Sequence, residues 1–263
     1  MKQIMKFTLK FLAAIFGIVL FSSSGDIIID PVEATSSERI ETFTFSSDEK
    51  SIKGKIFLPA SFETNKNLPA IYLIDFTEQH FKVATDEFEK VIDGVWQIQG
   101  FDALVVTLEE HLDVNTEPNS FQEYYTIFKN LTSYVDGSYT NNTSRTFIGR
   151  GREAGLVLMT LFIENPDSSK FDNFIATDSP RIFNSAIINM IENDDFPKNK
   201  LNKKLHFSFS TSNNYDNCTK LINTINQAQY PWLQFESLEY TNSNYENTYP
   251  ASFAAGIKYI FDN

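Results

Sequence analysis

The sequence is poor in the residues that most often bind metals or attack substrates. Its 263 residues include one cysteine and three histidines. The lone cysteine, Cys218, excludes an internal disulfide, and without an adjacent histidine we interpret it as a buried thiol rather than a nucleophile. The histidines, His80, His111 and His206, match no zinc-ligand spacing. We therefore expect neither a metal site nor a cofactor.

Positive charge is also scarce. The chain has 22 lysines and arginines against 34 acidic residues, a formal net charge of −12. An excess of negative charge repels the phosphate backbone of nucleic acid and anionic membrane surfaces. We therefore expect no nucleic-acid partner. A small molecule or a protein is left as the partner, and the composition identifies neither.

A long apolar run occurs only near the N-terminus. Residues 1–24 hold three lysines, then the eleven-residue run "FLAAIFGIVLF", then "SSSG". This layout is typical of a cleaved secretory signal, and the run is short for a helix that spans a bilayer. We expect an exported protein, periplasmic or extracellular, with no stable membrane association after cleavage. An uncleaved N-terminal anchor is the alternative.

The rest of the chain alternates between strand and helix patterns. After a polar lead-in at 25–37, "IETFTF" and "IKGKIFLP" alternate apolar and polar residues, as a hairpin of half-exposed strands does. Near-continuous apolar runs at 68–76 and 101–108 indicate strands buried on both faces. The remaining pattern predicts helices at 83–98, 120–136, 153–164, 181–193, 217–229 and 250–262, and strands at 145–149, 171–177, 204–210 and 233–240.

This order of elements predicts an α/β fold for residues 38–263. Strands that alternate with helices form a mainly parallel central sheet with helices on both faces. Here an N-terminal antiparallel hairpin precedes that sheet. Sheets of this kind bind ligands at the carboxyl ends of their strands. The functional residues are therefore expected in the loops that follow the strands.

Five stretches within residues 40–262 share an order and spacing with a known family. They are "IFLPASFETNKNLPAIYLID", the His-Phe pair at 80 and 81, "RTFIG", "FDNFIATDSP" and "YPASFAAGIKYIF". Together they resemble the esterase D and enterochelin-esterase-like branch of the α/β-hydrolases. The resemblance implies an α/β-hydrolase fold and the chemistry of a carboxylic-ester hydrolase.

The nucleophile position implied by this resemblance is vacant. The family's turn reads Gly-x-Ser-x-Gly-Gly, a strained bend that presents the serine hydroxyl above the sheet. In "TFIGRGREAGLVLMTLF", residues 146–162, alignment on Gly149 places Gly151 at the serine position. Glycine adopts such a bend without steric cost but offers no hydroxyl. Glycine at this position therefore allows the backbone turn to be kept, but acyl transfer through a serine hydroxyl cannot occur there.

The implied base and acid positions are altered as well. In "NSNYENTYPAS", the stretch that matches the family's histidine loop before the last helix, Tyr245 takes the histidine position. A phenol with an ordinary pKa near 10 is a poor acceptor for a serine proton. The acid should follow the strand that ends at Ser210, and Asp216 is the candidate there. The triad positions Gly151, Asp216 and Tyr245 are therefore interpreted as degenerate.

The charged residues around the turn have two readings. Arg150, Arg152 and Glu153 form either a polar site at a helix N-terminus, which favours anions, or solvated surface charges or a local ion pair. Ser179, another hydroxyl near a strand end, is interpreted as structural. The residues expected to line the former cleft are Asp75, Phe76, His80, Arg150, Arg152 and Glu153.

The sequence thus predicts a secreted, catalytically degenerate esterase-like protein. Its expected role is ligand binding or protein interaction through the former substrate cleft. The alternative is an active carboxylic-ester hydrolase with a non-standard catalytic site, because most proteins of this architecture are enzymes.

Overall fold

The chain divides into two units, Met1–Thr35 and Ser36–Asn263, and the structure described below is that of the second. It is a computed structural model that describes residues 38–74, 87–109, 118, 121–197, 201–213 and 215–262. The expected signal segment, the cleft candidates Asp75, Phe76 and His80, and His111 lie outside the described residues. The predictions that concern them stay predictions.

The described strands form one eight-stranded sheet in the order β1-β2-β4-β3-β5-β6-β7-β8. An antiparallel hairpin, β1 with β2, joins the sheet through an antiparallel pairing of β2 with β4, and all the other neighbours are parallel. β3, β4 and β6 are buried along their whole length, because helices cover both faces. The strands are β1 (Arg39–Ser47), β2 (Lys50–Leu58), β3 (Ala70–Ile74), β4 (Leu104–Leu108), β5 (Arg145–Arg150), β6 (Asn173–Thr177), β7 (Lys203–Ser210) and β8 (Leu233–Tyr240).

Two hydrophobic cores lie on the two faces of this sheet. The larger one is formed with α2, α3, α4 and α5, and the smaller one with α1 and α6. None of the described helices has both the length and the apolar character that crossing a bilayer requires. The helices are α1 (Glu87–Trp96), α2 (Phe121–Ser138), α3 (Arg152–Ile163), α4 (Arg181–Glu192), α5 (Tyr215–Ala228) and α6 (Tyr245–Phe261).

The predicted fold class is confirmed: the sheet is mainly parallel, has helices on both faces and begins with an antiparallel hairpin. The start of the last helix was predicted wrongly. The sequence predicts the last helix from residue 250, but α6 begins at Tyr245. The reason is a capping residue. The Asn244 side chain accepts hydrogen bonds from the backbone N–H groups of Glu246 and Asn247, at 3.1 and 3.0 Å, which starts the helix five residues before the predicted position.

Candidate functional site

The turn between β5 and α3 is a sharp backbone bend at Gly151. Gly151 stands between the last residue of β5 and the first residue of α3, with φ 63° and ψ −126°. L side chains rarely adopt this positive φ, whereas glycine does so without steric cost. Its N–H donates to the Thr177 carbonyl of β6 at 2.8 Å, which anchors the turn to the neighbouring strand. The bend is present and its hydroxyl is not.

Two further glycines let α3 approach its surroundings closely. A Cβ on Gly149 would lie 2.8 Å from the backbone carbonyl carbon of Glu153, in the first turn of α3. A Cβ on Gly155 would lie 2.2 Å from the ring of Phe183 in α4. Both distances are below any normal carbon contact, so glycine is required at both positions. The start of α3 is therefore locked against β5 on one side and α4 on the other.

Tyr245 occupies the space directly above Gly151. A Cβ on Gly151 would meet the Tyr245 hydroxyl at 2.3 Å and two of its ring carbons at 3.1 Å. Tyr245 is the first residue of α6, so the early start of that helix carries the phenol to the turn. The predicted nucleophile position, Gly151, and the predicted base position, Tyr245, are thus 94 residues apart in the sequence but adjacent in the structure. The Tyr245 hydroxyl fills the space that a side chain at residue 151 would need.

Arg150 holds the Tyr245 ring in this position. Its guanidinium carbon lies 4.3 Å from the ring centroids of both Tyr245 and Tyr249, which are one helical turn apart on α6. Stacking of a guanidinium on two aromatic faces is favourable, the more so when water is excluded. The Arg150 Nε also lies 2.9 Å from Oε1 of Glu87 in α1, and the two side chains are only 11% and 7% exposed.

The local ion pair predicted as one reading of this charged group is therefore present for Arg150. Its charge is directed at Glu87 and the two tyrosines rather than at a ligand. Arg152, the first residue of α3, is exposed, and Glu153 is half-buried beside it. Glu87 and Tyr249 were missed by the sequence reasoning. The spacing of the two tyrosines on α6 could have indicated a shared helix face, whereas nothing local marks Glu87.

The phenol of Tyr245 is not an activated group. Burial raises the pKa of Tyr245 above its ordinary value of 10, the charges of Glu153 and Glu87 raise it further, and the charge of Arg150 opposes them. Tyr245 therefore stays protonated at physiological pH. A neutral phenol can donate a hydrogen bond but cannot take a proton from a nucleophile.

Asp216 lies away from this assembly. It is the second residue of α5, is exposed, and lines a surface groove with Glu192 and Lys220. An acid at the carboxyl edge that the sequence reasoning did not select is Asp178, in the loop after β6. Its Oδ1 accepts hydrogen bonds from the N–H of Ser210 at 2.7 Å and from the Ser210 hydroxyl at 3.0 Å.

The remaining nucleophile candidates are buried. Ser179 is fully buried just before α4, in agreement with a structural role. Cys218 is fully buried in α5, and burial, with the nearby charge of Asp178, raises the pKa of its thiol to about 12. A thiol in that state is not a nucleophile at neutral pH. Among the described residues no three histidine, cysteine, aspartate or glutamate side chains are grouped as metal ligands would be.

Comparison of the chain with known proteins identifies its class of fold. No protein-family model and no curated protein matches the chain. Solved structures that resemble it include esterases and hydrolases, and the chain has the α/β-hydrolase fold.

Three of these structures illustrate the likeness. An uncharacterised protein from Capnocytophaga ochracea is 15% identical with a TM-score of 0.67, over 85% of this chain and 64% of the other, so this chain spans less than two thirds of that protein. An IroE-like serine hydrolase from Shewanella oneidensis is 14% identical with a TM-score of 0.68, over 85% and 80%. The siderophore hydrolase EstA from Aspergillus nidulans is 13% identical with a TM-score of 0.66, over 92% and 98%. At these identities the likeness establishes the fold alone.

Proposed function

We propose that this protein is a catalytically degenerate, exported protein of esterase-like fold, retained for binding rather than for ester hydrolysis. The observation that carries the proposal is the position of the Tyr245 hydroxyl, 2.3 Å from where a side chain of residue 151 would begin. Acyl transfer on this fold needs a hydroxyl on the turn and a base beside it. Here the turn is glycine and its space is filled.

The alternative is an active hydrolase with a non-standard site, and within the described part of the chain the hydroxyl that lies against Gly151 is that of Tyr245. Three features argue against it. The pKa of Tyr245 is raised rather than lowered, its ring is stacked on Arg150, and the described carboxylates nearest to it, Glu87 and Glu153, disfavour the phenolate. Nucleophiles are activated by the opposite arrangement, a lowered pKa or an adjacent base.

A binding role is supported by the surface at the carboxyl edge of the sheet. Ile182, Tyr215 and Tyr245 stand at or next to the first residues of α4, α5 and α6, and are 51%, 45% and 39% exposed. Helices that follow parallel strands all begin at this edge. The proposal assigns these exposed side chains to the contact with a partner, because apolar surface is removed from water when a partner binds.

Catalysis is tested by hydrolysis of p-nitrophenyl acetate and by labelling with a serine-directed fluorophosphonate, with an active esterase as the positive control. We expect neither reaction above background, because loss of triad members removes several orders of magnitude of rate. The double substitution Gly151→Ser with Tyr245→His is expected to give little or no activity, since it also removes one of the rings stacked on Arg150. Labelling of the unmodified protein at Tyr245, or at any serine of this edge, would support the active-hydrolase alternative instead.

Binding is tested by placing a photo-crosslinking amino acid at position 182 or 215 and irradiating cells of the native host. The matched control is position 96, because Trp96 is also exposed but ends α1 at the opposite edge of the sheet. We expect adducts from 182 and 215 and not from 96. Intact-mass measurement of the same material tests export, and a mass that retains residues 1–24 would contradict cleavage.

A further inference from the structure

A buried histidine lies between the sheet and α6. His206 is in the middle of β7, and its side chain is 0% exposed. A Cβ on Gly256 of α6 would lie 3.1 Å from the imidazole Cδ2 and 2.6 Å from Cγ2 of Ile175, the residue beside His206 on β6. Glycine at position 256 therefore lets α6 lie directly against the imidazole ring.

The face of β7 that carries His206 anchors α6 on either side of it. Every second side chain of a strand points to the same face. Lys204 donates to the Ile260 carbonyl at 3.0 Å. The Ser208 hydroxyl forms a hydrogen bond with the hydroxyl of Ser252. His206 lies between these two anchors, so a change in its charge acts where α6 is held on the sheet.

The two ring nitrogens of His206 are in different environments. Nδ1 lies 2.9 Å from Oε2 of Glu236, the neighbouring residue on β8. Nε2 is buried and has no hydrogen-bond partner within the described part of the chain. Because a carboxylate only accepts hydrogen bonds, Nδ1 carries the proton of the neutral ring, and Nε2 carries the lone pair.

Protonation of Nε2 is unfavourable in this environment. It would create a buried N–H donor that no described residue accepts, and a buried donor left unsatisfied costs free energy. It would also add a positive charge to the strand face that already holds the Lys204 ammonium. A protonated ring is therefore stabilised by leaving the contact with α6 for water.

The group that opposes this effect is Glu236, which faces the imidazole from β8. Its side chain is 43% exposed, so water and salt screen its charge. From α6, the ring of Tyr259 lies 6.1 Å away, and burial and the charge of Glu236 raise the pKa of that phenol, so it stays neutral. From β6, the neighbour is the uncharged Ile175. Burial prevails over Glu236 and lowers the pKa of His206 below its ordinary value of 6.5.

We propose that His206 is an acid-sensitive latch for α6: the neutral imidazole fits beneath Gly256 and holds the helix on β7, and protonation loosens the helix from the sheet. α6 begins with Tyr245, whose hydroxyl fills the space above Gly151. The latch would therefore connect the acidity of the surroundings to the closed turn between β5 and α3.

The lowered pKa fixes the direction of the pH dependence. The folded chain binds this proton less tightly than the unfolded chain, so the docked state loses stability as the pH falls from 6.5 towards the lowered pKa. One proton changes the opening equilibrium by up to about tenfold per pH unit within that window. Above pH 6.5 the ring is neutral whether α6 is docked or open, and the latch stays closed.

Hydrogen exchange of the full chain tests the latch. It is compared at about pH 6.5 and about pH 5.5, after the intrinsic pH dependence of exchange is removed. We expect the opening of α6 amides to increase up to about tenfold at the lower pH, while the amides of α3, on the other face of the sheet, keep their protection. An equal increase in α3 and α6 would indicate a global loss of stability. That result, or an unchanged α6, would overturn the proposal.

A neutral replacement of the histidine separates its titration from that of other groups. His206→Asn keeps an amide donor beside Glu236 but cannot be protonated. The smaller side chain lowers stability at both pH values, and we expect the protection of α6 to be the same at the two. A pH difference that survives in His206→Asn would assign the effect to another group and rule out the latch.

Glu236→Gln gives a second readout that keeps the histidine and does not depend on whether His206→Asn folds. Removing the carboxylate removes the charge that favours the protonated ring, so the NMR titration midpoint of His206 should move to lower pH. Glu239→Gln, which also replaces an exposed acid on β8, is the matched control and should leave the midpoint unchanged. A wild-type midpoint at the ordinary 6.5, or one that does not respond to Glu236→Gln, would contradict the proposal.

Discussion

The two edges of the sheet each bury a positive charge, and they hold it differently. At the carboxyl edge, Arg150 lies between two tyrosine rings and pairs with Glu87. At the amino edge, Lys203 opens β7 with a side chain that is 6% exposed. It donates to the Ser169 hydroxyl at 2.6 Å and to the Phe171 carbonyl, and a carboxylate oxygen of Asp172 lies 3.8 Å away.

The two edges of a parallel sheet usually have different roles. In parallel sheets the amino edge is structural and the carboxyl edge carries the ligand sites. Here the carboxyl edge at β5 is closed by an ion pair and aromatic stacking, as tightly as the amino edge is closed by hydrogen bonds. The contacts of Arg150 with Glu87 and the two tyrosines therefore make this part of the carboxyl edge part of the packed scaffold.

Breaking the Arg150 pair is expected to have the largest effect. Glu87→Gln leaves a buried guanidinium without its carboxylate, which costs about 3–5 kcal/mol of unfolding free energy. Denaturant unfolding of the variant measures it. Lys90→Gln on the same helix is the control, because the Lys90–Asp93 pair is 32% and 44% exposed and such pairs contribute less than about 1 kcal/mol. A loss from Glu87→Gln as small as that of the control would mean that the carboxyl edge is not closed by this pair.

The contact between Gly151 and Tyr245 is tested by adding a methyl group. Gly151→Ala meets both an unfavourable φ and the Tyr245 hydroxyl, whereas Gly100→Ala meets an unfavourable φ of 73° with no atom within 4 Å. Backbone strain alone costs about 1–3 kcal/mol, and we expect Gly151→Ala to cost about 1–3 kcal/mol more than Gly100→Ala through overpacking. Tyr245→Phe in the Gly151→Ala background should recover part of that excess. Equal losses at positions 151 and 100 would show that the phenol does not fill the turn.

Substitution of Lys203 at the amino edge is expected to have the smallest effect on the unfolding free energy, and this effect depends on pH. Burial lowers the pKa of Lys203 below its ordinary 10.5, against the charges of Glu164 and Asp172. The folded protein therefore binds this proton less tightly than the unfolded chain, so this residue's contribution to stability rises as pH increases from the lowered pKa towards 10.5. The difference in unfolding free energy between wild type and Lys203→Met should change by on the order of 1 kcal/mol across that window. A pH-independent difference would mean that Lys203 titrates normally.

Most of the fold could be predicted because its signals are local. The apolar runs at 68–76 and 101–108 contain β3 and β4, and β8 was predicted with its observed bounds, Leu233–Tyr240. The start of α6 was missed because Pro250 read as a helix start while the Asn244 cap lies upstream. Asp216 was expected in a loop, but α5 begins at Tyr215, which places the acid on the exposed surface of a helix.

The sequence predicted which positions belong to the site, but not how their side chains contact one another. The resemblance placed Gly151 and Tyr245 at two catalytic positions, but no pattern in either segment indicates that the phenol would lie against the glycine. The pair of Arg150 with Glu87 joins β5 to α1 across more than sixty positions of sequence, and only the parallel register of the sheet brings them together. Contacts of this range depend on the whole sheet and leave no local trace.

The position of Tyr245 also has an evolutionary consequence. A serine at position 151 gains nothing while the phenol is there, and replacing the phenol first exposes a buried arginine without restoring a nucleophile. On the proposed function, a change at either position alone is therefore neutral or harmful, and only the combination could supply a nucleophile together with its base. A tyrosine stacked in this way would preserve the fold while leaving no single substitution that leads to ester hydrolysis.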